Sequence, residues 1–365
     1  MSSTWGENIK ISIFGESHSA GIGIVLDGIP AGFTIDFAKI LNQIKRRAPG
    51  NDQSSTSRKE LDFPKILSGI LNGVTEGSPI SAIIENTNTK SADYQNLLNT
   101  PRPGHSDFCA YVKYKQHNDI KGGGHFSGRL TAPLVFAGSV ARQILETKNI
   151  FVTAHAQRIA KIDDNKFCET DIDLNLAKKL IEEFFPVINK NTKEKMYEEI
   201  SKAKSNGDSV GGIIECAVIG LPVGIGGAMF GGLESKISSI VYGIPAVKAI
   251  EFGAGFSSCD MFGSENNDEF YYDDKQAIKT YTNNCGGILG GISNSMPLIF
   301  RVGIKPTPSI YKEQRTVNLQ TKENEKLIIN GRHDPCIVPR AIPVIEAVTA
   351  LAILDAILGD KSYDL

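Results

Sequence analysis

Three of the six histidines stand among turn-forming residues rather than on an apolar face: His18 in Gly15-Glu16-Ser17-His18, His105 in Arg102-Pro103-Gly104-His105-Ser106-Asp107, and His125 in Gly122-Gly123-Gly124-His125. A fourth, His333, lies in Gly331-Arg332-His333-Asp334-Pro335. An imidazole on such a turn can face a ligand and, titrating at ~6.5, move a proton at neutral pH. Arginines accompany these segments: Arg46 and Arg47, Arg102, Arg129 and Arg332, with Lys45 and Lys305 adding charge. Guanidinium forks match carboxylate and phosphate oxygens in pairs. Spread over five segments, the set would suit a small substrate with several acidic groups. Taken singly, each histidine also reads as a surface turn residue and each arginine as solvated charge. No histidine pair has the i, i+4 spacing of a helical metal site, so no metal is expected.

Glycine is the second signal. The 36 glycines bunch at Gly122–Gly124, Gly224–Gly232, Gly253–Gly255 and Gly286–Gly291. Clustered glycine brings bare backbone close to something else, either its own chain or a ligand. Four clusters predict at least one loop that cradles an anion or cofactor. That loop is of no common kind. No Gly-x-x-x-x-Gly-Lys-Ser/Thr occurs, and no strand leads through Gly-x-Gly-x-x-Gly into a helix.

These side chains must be held by mixed helices and strands. Phe37, Ile40, Leu41 and Ile44 recur at helical spacing behind Asp36, a candidate N-cap. Leu174–Phe185 and Asn191–Lys204 are amphipathic, and Ala132–Glu146 is apolar almost all round. Ala341–Leu358 is the most apolar run, yet it carries Glu346 and Asp355. Two carboxylates argue for a buried helix of a soluble protein rather than a membrane span. Strands are expected at Ile9–Phe14, Ile22–Leu26, Gly212–Ile219, Pro297–Ile304 and Lys326–Ile329. No linker or internal repeat divides the 365 residues, which predicts one domain over 1–365.

A net charge of -2 gives no general basic field for nucleic acid or anionic membrane. The cysteines show no Cys-x-x-Cys pair, and the N-terminal residues MSSTWGENIKISIFGES have no secretory pattern. A cytoplasmic protein with reduced thiols is expected.

Several segments together resemble the chorismate synthase family: Gly15-Glu16-Ser17-His18 followed by Leu26-Asp27-Gly28-Ile29-Pro30, then Arg102–Asp107, Gly122–Arg129, Gly243–Lys248, Tyr281–Ser293, Lys305–Ser309 and Gly331–Cys336. They occur in family order from about residue 5 to 358. The resemblance implies an α+β fold, a sandwich of helices between two antiparallel β-sheets, assembled as a homotetramer. It implies a lyase of the shikimate pathway, acting in aromatic amino acid biosynthesis. The reaction would be a 1,4-anti elimination of phosphate from 5-enolpyruvylshikimate 3-phosphate, giving chorismate. Reduced FMN would be required without net redox change, and NADPH is a possible reductant. His18 resembles the histidine that protonates the leaving phosphate, His105 the one that protonates the reduced flavin, and Asp334 the carboxylate that assists proton removal. His125, Phe126, Ser127, Ala246, Gly286, Lys305, Pro306, Thr307, Pro308, Ser309 and Arg332 fall on flavin-binding positions. Arg46, Arg47, Arg102 and Arg129 fall on substrate or NADP positions.

The chain departs from the family pattern at Ala48 and Gln53, where arginines are usual, at His125 and Phe126 after the glycines, and at Pro245 in place of asparagine. These changes bear on how flavin phosphate, substrate carboxylates and NADPH are held; Arg58 or Lys59 would be near enough in sequence to compensate. Two other readings stand beside this one: a flavin oxidoreductase that consumes NADPH stoichiometrically, and a phosphometabolite-binding protein without catalysis.

Overall fold

The computed structural model describes residues 3–50, 52, 54, 62–87, 97, 99–329, 331 and 333–360. Gln53, Arg58, Lys59 and Arg332 lie outside the described residues. The first helix, Phe37–Arg47, begins where the sequence predicts. The Asp36 carboxylate accepts the backbone N–H groups of Ala38 and Lys39 at 2.8 and 3.4 Å, capping donors that a helix start leaves unpaired. Ile40 and Ile44 carry the face that meets the core.

Two five-stranded sheets, antiparallel throughout, form the β part of this α+β fold. In the first, the order is Thr4–Trp5, Lys10–Gly15, Gly21–Asp27, Ile80–Glu85 and Pro64–Ser68. In the second it is Val247–Phe252, Leu298–Ile304, Gly212–Ile219, Phe151–Ile159 and Ile162–Asp163. Helix Thr131–Glu146 packs on Gly21–Asp27 and Ile80–Glu85 of the first sheet and on Phe151–Ile159 of the second. Helix Val338–Gly359 packs beside it, against Phe151–Ile159 and Gly212–Ile219. The two helices cross almost backbone to backbone. A Cβ on Gly138 would lie 2.3 Å from the Ala347 Cβ, so only glycine allows this approach.

Apolar burial drives this packing, and a few charges fix its register. Helix Val338–Gly359 is long and apolar enough to cross a membrane by composition, but its side chains are inside the protein. Its Asp355 accepts the backbone N–H groups of Glu7, Asn8 and Ile9 at 3.1, 2.8 and 2.8 Å, anchoring the chain entry to the first sheet. Its Glu346, fully buried, receives Arg46 at 2.6 Å, Arg142 at 3.0 Å and the Ala154 N–H at 3.0 Å.

Most expected elements form, with shifted ends. Leu174–Leu180 is shorter than the amphipathic stretch suggested, and the last strand candidate sits at Asn324–Leu327. The pattern gave no sign of Phe151–Ile159. Its residues from Val152 to Gln157 are all buried, so polar and apolar side chains lack the alternation that marks a half-exposed strand.

That strand holds His155, buried between Glu215, 3.0 Å from Nε2, and Asp164, 3.4 Å from Nδ1. Burial alone would push its pKa down; the two carboxylates outweigh that and hold it above the usual histidine value. A raised folded pKa means the stabilisation is complete below the unfolded value of ~6.5 and is lost as pH rises through the folded value. The stability gap between the parent chain and His155→Gln should therefore be widest near pH ~6 and shrink toward alkaline pH, measured by urea unfolding. A gap that stays constant would mean the ring titrates alike in the native and unfolded chain, and one that widens with pH would mean the native ring is neutral.

Candidate active site

The triple-glycine turn is where the two histidine segments meet. Gly122, Gly123 and Gly124 all have positive φ, at 59°, 84° and 52°, a region that side chains rarely enter. A Cβ on Gly122 would fall 2.3 Å from His18 Nδ1, and one on Gly123 would fall 3.2 Å from His105 Nε2. Residues 87 positions apart thus flank one dipeptide, their rings no more than about 12 Å apart. The Ser17 N–H donates to the Gly124 carbonyl at 3.2 Å and ties the His18 segment to the turn.

The other histidine of this region has a different setting. His125 Nδ1 donates to the Gly15 carbonyl at 2.9 Å, which places a proton on Nδ1, and Nε2 meets the Ser3 hydroxyl at 2.6 Å. Both ring nitrogens are therefore engaged with the chain, bracing the turn against strand Lys10–Gly15. Phe126 packs 6.1 Å from the Tyr114 ring, and Ser127 caps the following turn by accepting the Arg129 N–H at 3.3 Å.

His105 leans on a second loop. Arg102 reaches the Ser309 hydroxyl at 3.5 Å, and Lys305 Nζ donates to the Gly104 carbonyl. Gly104 also faces Pro308, whose Cβ would be 3.5 Å from an added Cβ. Lys305–Ser309 therefore lies along the His105 turn, and Pro306, Thr307 and Pro308 travel with it. Ala246, in the left-handed region at φ 74°, joins by accepting the Lys305 N–H at 3.0 Å. Gly286 does not. It pairs with Ile299 at the far end of strand Leu298–Ile304, roughly 20 Å from Lys305 at 3.3 Å per residue. There a Cβ would lie 2.4 Å from the Gly253 nitrogen, so the chain's own backbone explains that glycine.

The arginines divide. Arg47 donates to Asp62 at 2.9 Å, to the Thr131 hydroxyl at 3.1 Å and to the Gly128 carbonyl at 2.8 Å. Arg129 pairs with the other Asp62 oxygen and donates to Asn86 at 3.0 Å. Arg340 donates to the Arg47 carbonyl at 3.0 Å and pairs with Asp334. Arg47, Arg129, Arg340, Asp62 and Asp334 therefore form one cluster. Burial pulls Arg47 down to about 10, with Arg340 and Arg129 adding to the effect against Asp62, and the guanidinium stays charged at neutral pH. Burial would raise Asp62, but Arg47 and Arg129 hold it below the usual carboxylate range.

Arg46, also expected at the ligand, turns instead toward the core. Its donors go to Glu183, Gln43, Glu346 and Leu180, at 2.8, 2.6, 2.6 and 3.5 Å, in the core. Neighbours on a helix project about 100° apart, so one of two adjacent arginines turns inward. Asp62, Arg340 and Asp107 complete the site without having been singled out by the sequence. Asp107 stood in plain view two places after His105; Asp62 and Arg340 belong to no recognisable pattern.

A family model described as chorismate synthase matches residues 9–358. The chorismate synthase of Lancefieldella parvula is 44% identical, over 98% of this chain and 96% of its own length. That of Methanocaldococcus jannaschii is 42% identical, over 98% and 97%. The chain belongs to the chorismate synthase family. A solved crystal structure of a chorismate synthase superposes with a TM-score of 0.78 at 26% identity, covering 99% of this chain and 95% of that one. The chain is accordingly an enzyme with a small-molecule substrate, and its α+β fold is that of the family.

Two outcomes follow from the geometry. Gly122→Ala should displace the His18 ring, whereas Gly128→Ala, whose Cβ meets nothing within 4 Å, should not; histidine C2–H NMR signals report both. Arg46→Met should cost about 3–5 kcal/mol of stability by breaking a buried ion pair, yet leave phosphate affinity unchanged. Arg129→Met should weaken binding of inorganic phosphate by about 1.5–3 kcal/mol in calorimetry. The reverse pattern would put Arg46, not Arg129, at the ligand.

Proposed function

We propose that the chain is a carbon–oxygen lyase that converts 5-enolpyruvylshikimate 3-phosphate to chorismate by 1,4-anti elimination, with reduced FMN and no net redox change. The observation that carries the reading is the convergence of His18 and His105 on the Gly122–Gly123 turn. Elimination breaks the C–O bond to phosphate and a C–H bond at C6, and the C–H electron pair moves into the new double-bond system. One proton must reach the departing phosphate and one must be taken from carbon. His18 is suited to the first transfer, as an imidazole on a turn beside backbone that carries no side chain. His105 presents Nε2 on the other side of that turn, where it can hold or pass the second proton. Asp334, ion-paired to Arg340, supplies a carboxylate beside the arginine cluster. Arg47 and Arg129 suit the phosphate and carboxylates of such a substrate.

The residues present fit a flavin. Gly122 and Gly123 leave bare backbone between the imidazoles. Thr307 Oγ1 is buried without a hydrogen-bond partner beside Lys305 and Ser309, as a phosphate-binding loop would be before its ligand arrives. His125, Phe126, Ser127, Ala246, Lys305–Ser309 and Arg332 would hold it, with Gly286 joining only if a second copy brings its own loop near. When bound, reduced FMN supplies the electron density that eases phosphate departure. NADPH enters this scheme only as a source of electrons, with Arg47 rather than Arg46 available to it.

We further read residues 1–365 as a single domain, a sandwich of helices between the two sheets. One hydrophobic cluster runs from Ile9 to Ile357 and takes in both of them. We place the enzyme in the cytoplasm, consistent with six cysteines without a disulfide among them. A homotetramer would cover the apolar side chains at one end of the second sheet, where Phe230 is 91% and Phe256 81% exposed.

Under strict anaerobiosis, phosphate release should appear with dithionite-reduced FMN and be absent with oxidised FMN. Equal rates would end the lyase reading, and stoichiometric NADPH consumption per product would favour an oxidoreductase. His18→Asn should lower turnover by about 10²–10⁴-fold, because asparagine can donate a hydrogen bond but not a proton. Near-full activity in that variant would remove His18 as the acid.

A further inference from the structure

The turn Arg102–Asp107 folds three ionisable side chains onto one another. Gly104 takes a positive φ of 72°, and the His105 N–H returns to the Arg102 carbonyl at 3.2 Å. Asp107, the first residue of helix Asp107–Lys113, points back over the turn. Its Oδ2 accepts Arg102 Nε at 2.7 Å and the Arg102 backbone N–H at 3.1 Å; its Oδ1 accepts Arg102 Nη2 at 2.8 Å. This two-point grip leaves the carboxylate no freedom to rotate. The same Oδ1 lies 2.6 Å from His105 Nδ1.

Three polar atoms approach His105 Nδ1: Asp107 Oδ1 at 2.6 Å, Arg102 Nη2 at 3.1 Å and Ser106 Oγ at 3.5 Å. A lone pair on Nδ1 would face carboxylate lone pairs at hydrogen-bond distance, which is repulsive. A proton there makes a charge-assisted hydrogen bond, and Arg102 keeps its own protons for the carboxylate. The neutral ring then carries its lone pair on Nε2, the atom that faces Gly123.

We propose that Asp107 is the positioning residue of His105: held by Arg102, it fixes the ring with the proton on Nδ1 and the basic Nε2 facing the glycine turn. The proposal rests on the reading of His105 as a proton-carrying residue and adds what makes it one. Without the carboxylate an imidazole is free to rotate and to place its proton on the wrong nitrogen. With it, Nε2 can take a proton and the resulting imidazolium is neutralised in place, so the ring can be charged and discharged without moving. Burial would raise the Asp107 pKa, but the hydrogen bonds from Arg102 and His105 hold it far below the usual carboxylate range, so it stays ionised for this task.

The test begins on ligand-free, ¹⁵N-histidine-labelled protein above the histidine titration range, with His105→Gln identifying the His105 signals. The parent chain should show the Nδ1–H tautomer. Asp107→Asn should lose that preference, since an amide can donate to a bare Nδ1, and turnover should fall by about 10²-fold or more, as when the carboxylate of a catalytic triad is neutralised. Asp107→Glu, which keeps the charge, should retain the tautomer. An Nε2–H tautomer in the parent chain overturns the proposal, and needs no variant to fold. So does an Asp107→Asn protein with unchanged tautomer or unchanged turnover. If the parent chain releases no phosphate with either flavin state, the lyase reading fails, while the parent spectrum still decides for or against the placement of the His105 proton.

Discussion

The site depends on a stretch of backbone that no side chain could occupy. Gly122, Gly123 and Gly124 follow one another in the left-handed region, with two imidazoles packed where their Cβ atoms would be. Three consecutive residues of this kind are costly to order, because glycine loses the most freedom on folding. The cost is offset by rigid neighbours. Arg129 leads directly into the buried helix Thr131–Glu146, and His125 bolts the turn to Ser3 and Gly15 with both nitrogens. The turn is thus anchored on its C-terminal side, by a core helix and by the first sheet. Both histidines inherit their positions from it.

Charge is arranged by the same logic. Arg46 and Arg47 differ by one helix position and have opposite fates. Arg46 joins Arg142 on Glu346, where removing one partner would strand a buried charge. Arg47 joins Arg129 on Asp62 at the site. The sequence offers a row of basic residues and no means of telling these apart, because direction depends on which face the helix buries. His155 belongs to the structural group as well. It is a titratable histidine outside the four turn segments, and it serves the second sheet rather than the chemistry.

Legibility in the sequence followed the range of the interactions. The cap at Asp36, the amphipathic first helix and strand Gly212–Ile219 depend on neighbours within a turn or a ladder, and they were readable. The sheet order was not, since pairing Ile80–Glu85 between Gly21–Asp27 and Pro64–Ser68 is decided by distant packing. His18, His105 and Lys305–Ser309 were found through ordered motifs that resemble a family. Their convergence on Gly122–Gly123 could not be deduced from spacing. Gly286 needs to be glycine for a reason no motif states: a Cβ there would meet Gly253 and the Ile299 carbonyl of this chain.

The arginine cluster imposes a last constraint. Among the described residues, three guanidiniums, Arg47, Arg129 and Arg340, face two carboxylates, Asp62 and Asp334, an excess of one positive charge. Without Asp62, two buried guanidiniums would stand close together with little water to separate them, which costs several kcal/mol. With Asp62 in place they are held in fixed directions, and their other donors go to Thr131, Gly128, Asn86 and the Glu85 carbonyl. Under the proposed reading, an anion would meet a net positive field set by side chains already ordered, rather than by flexible ones that must first be fixed. The internal carboxylate weakens the attraction for any further anion and in exchange holds the buried cluster together.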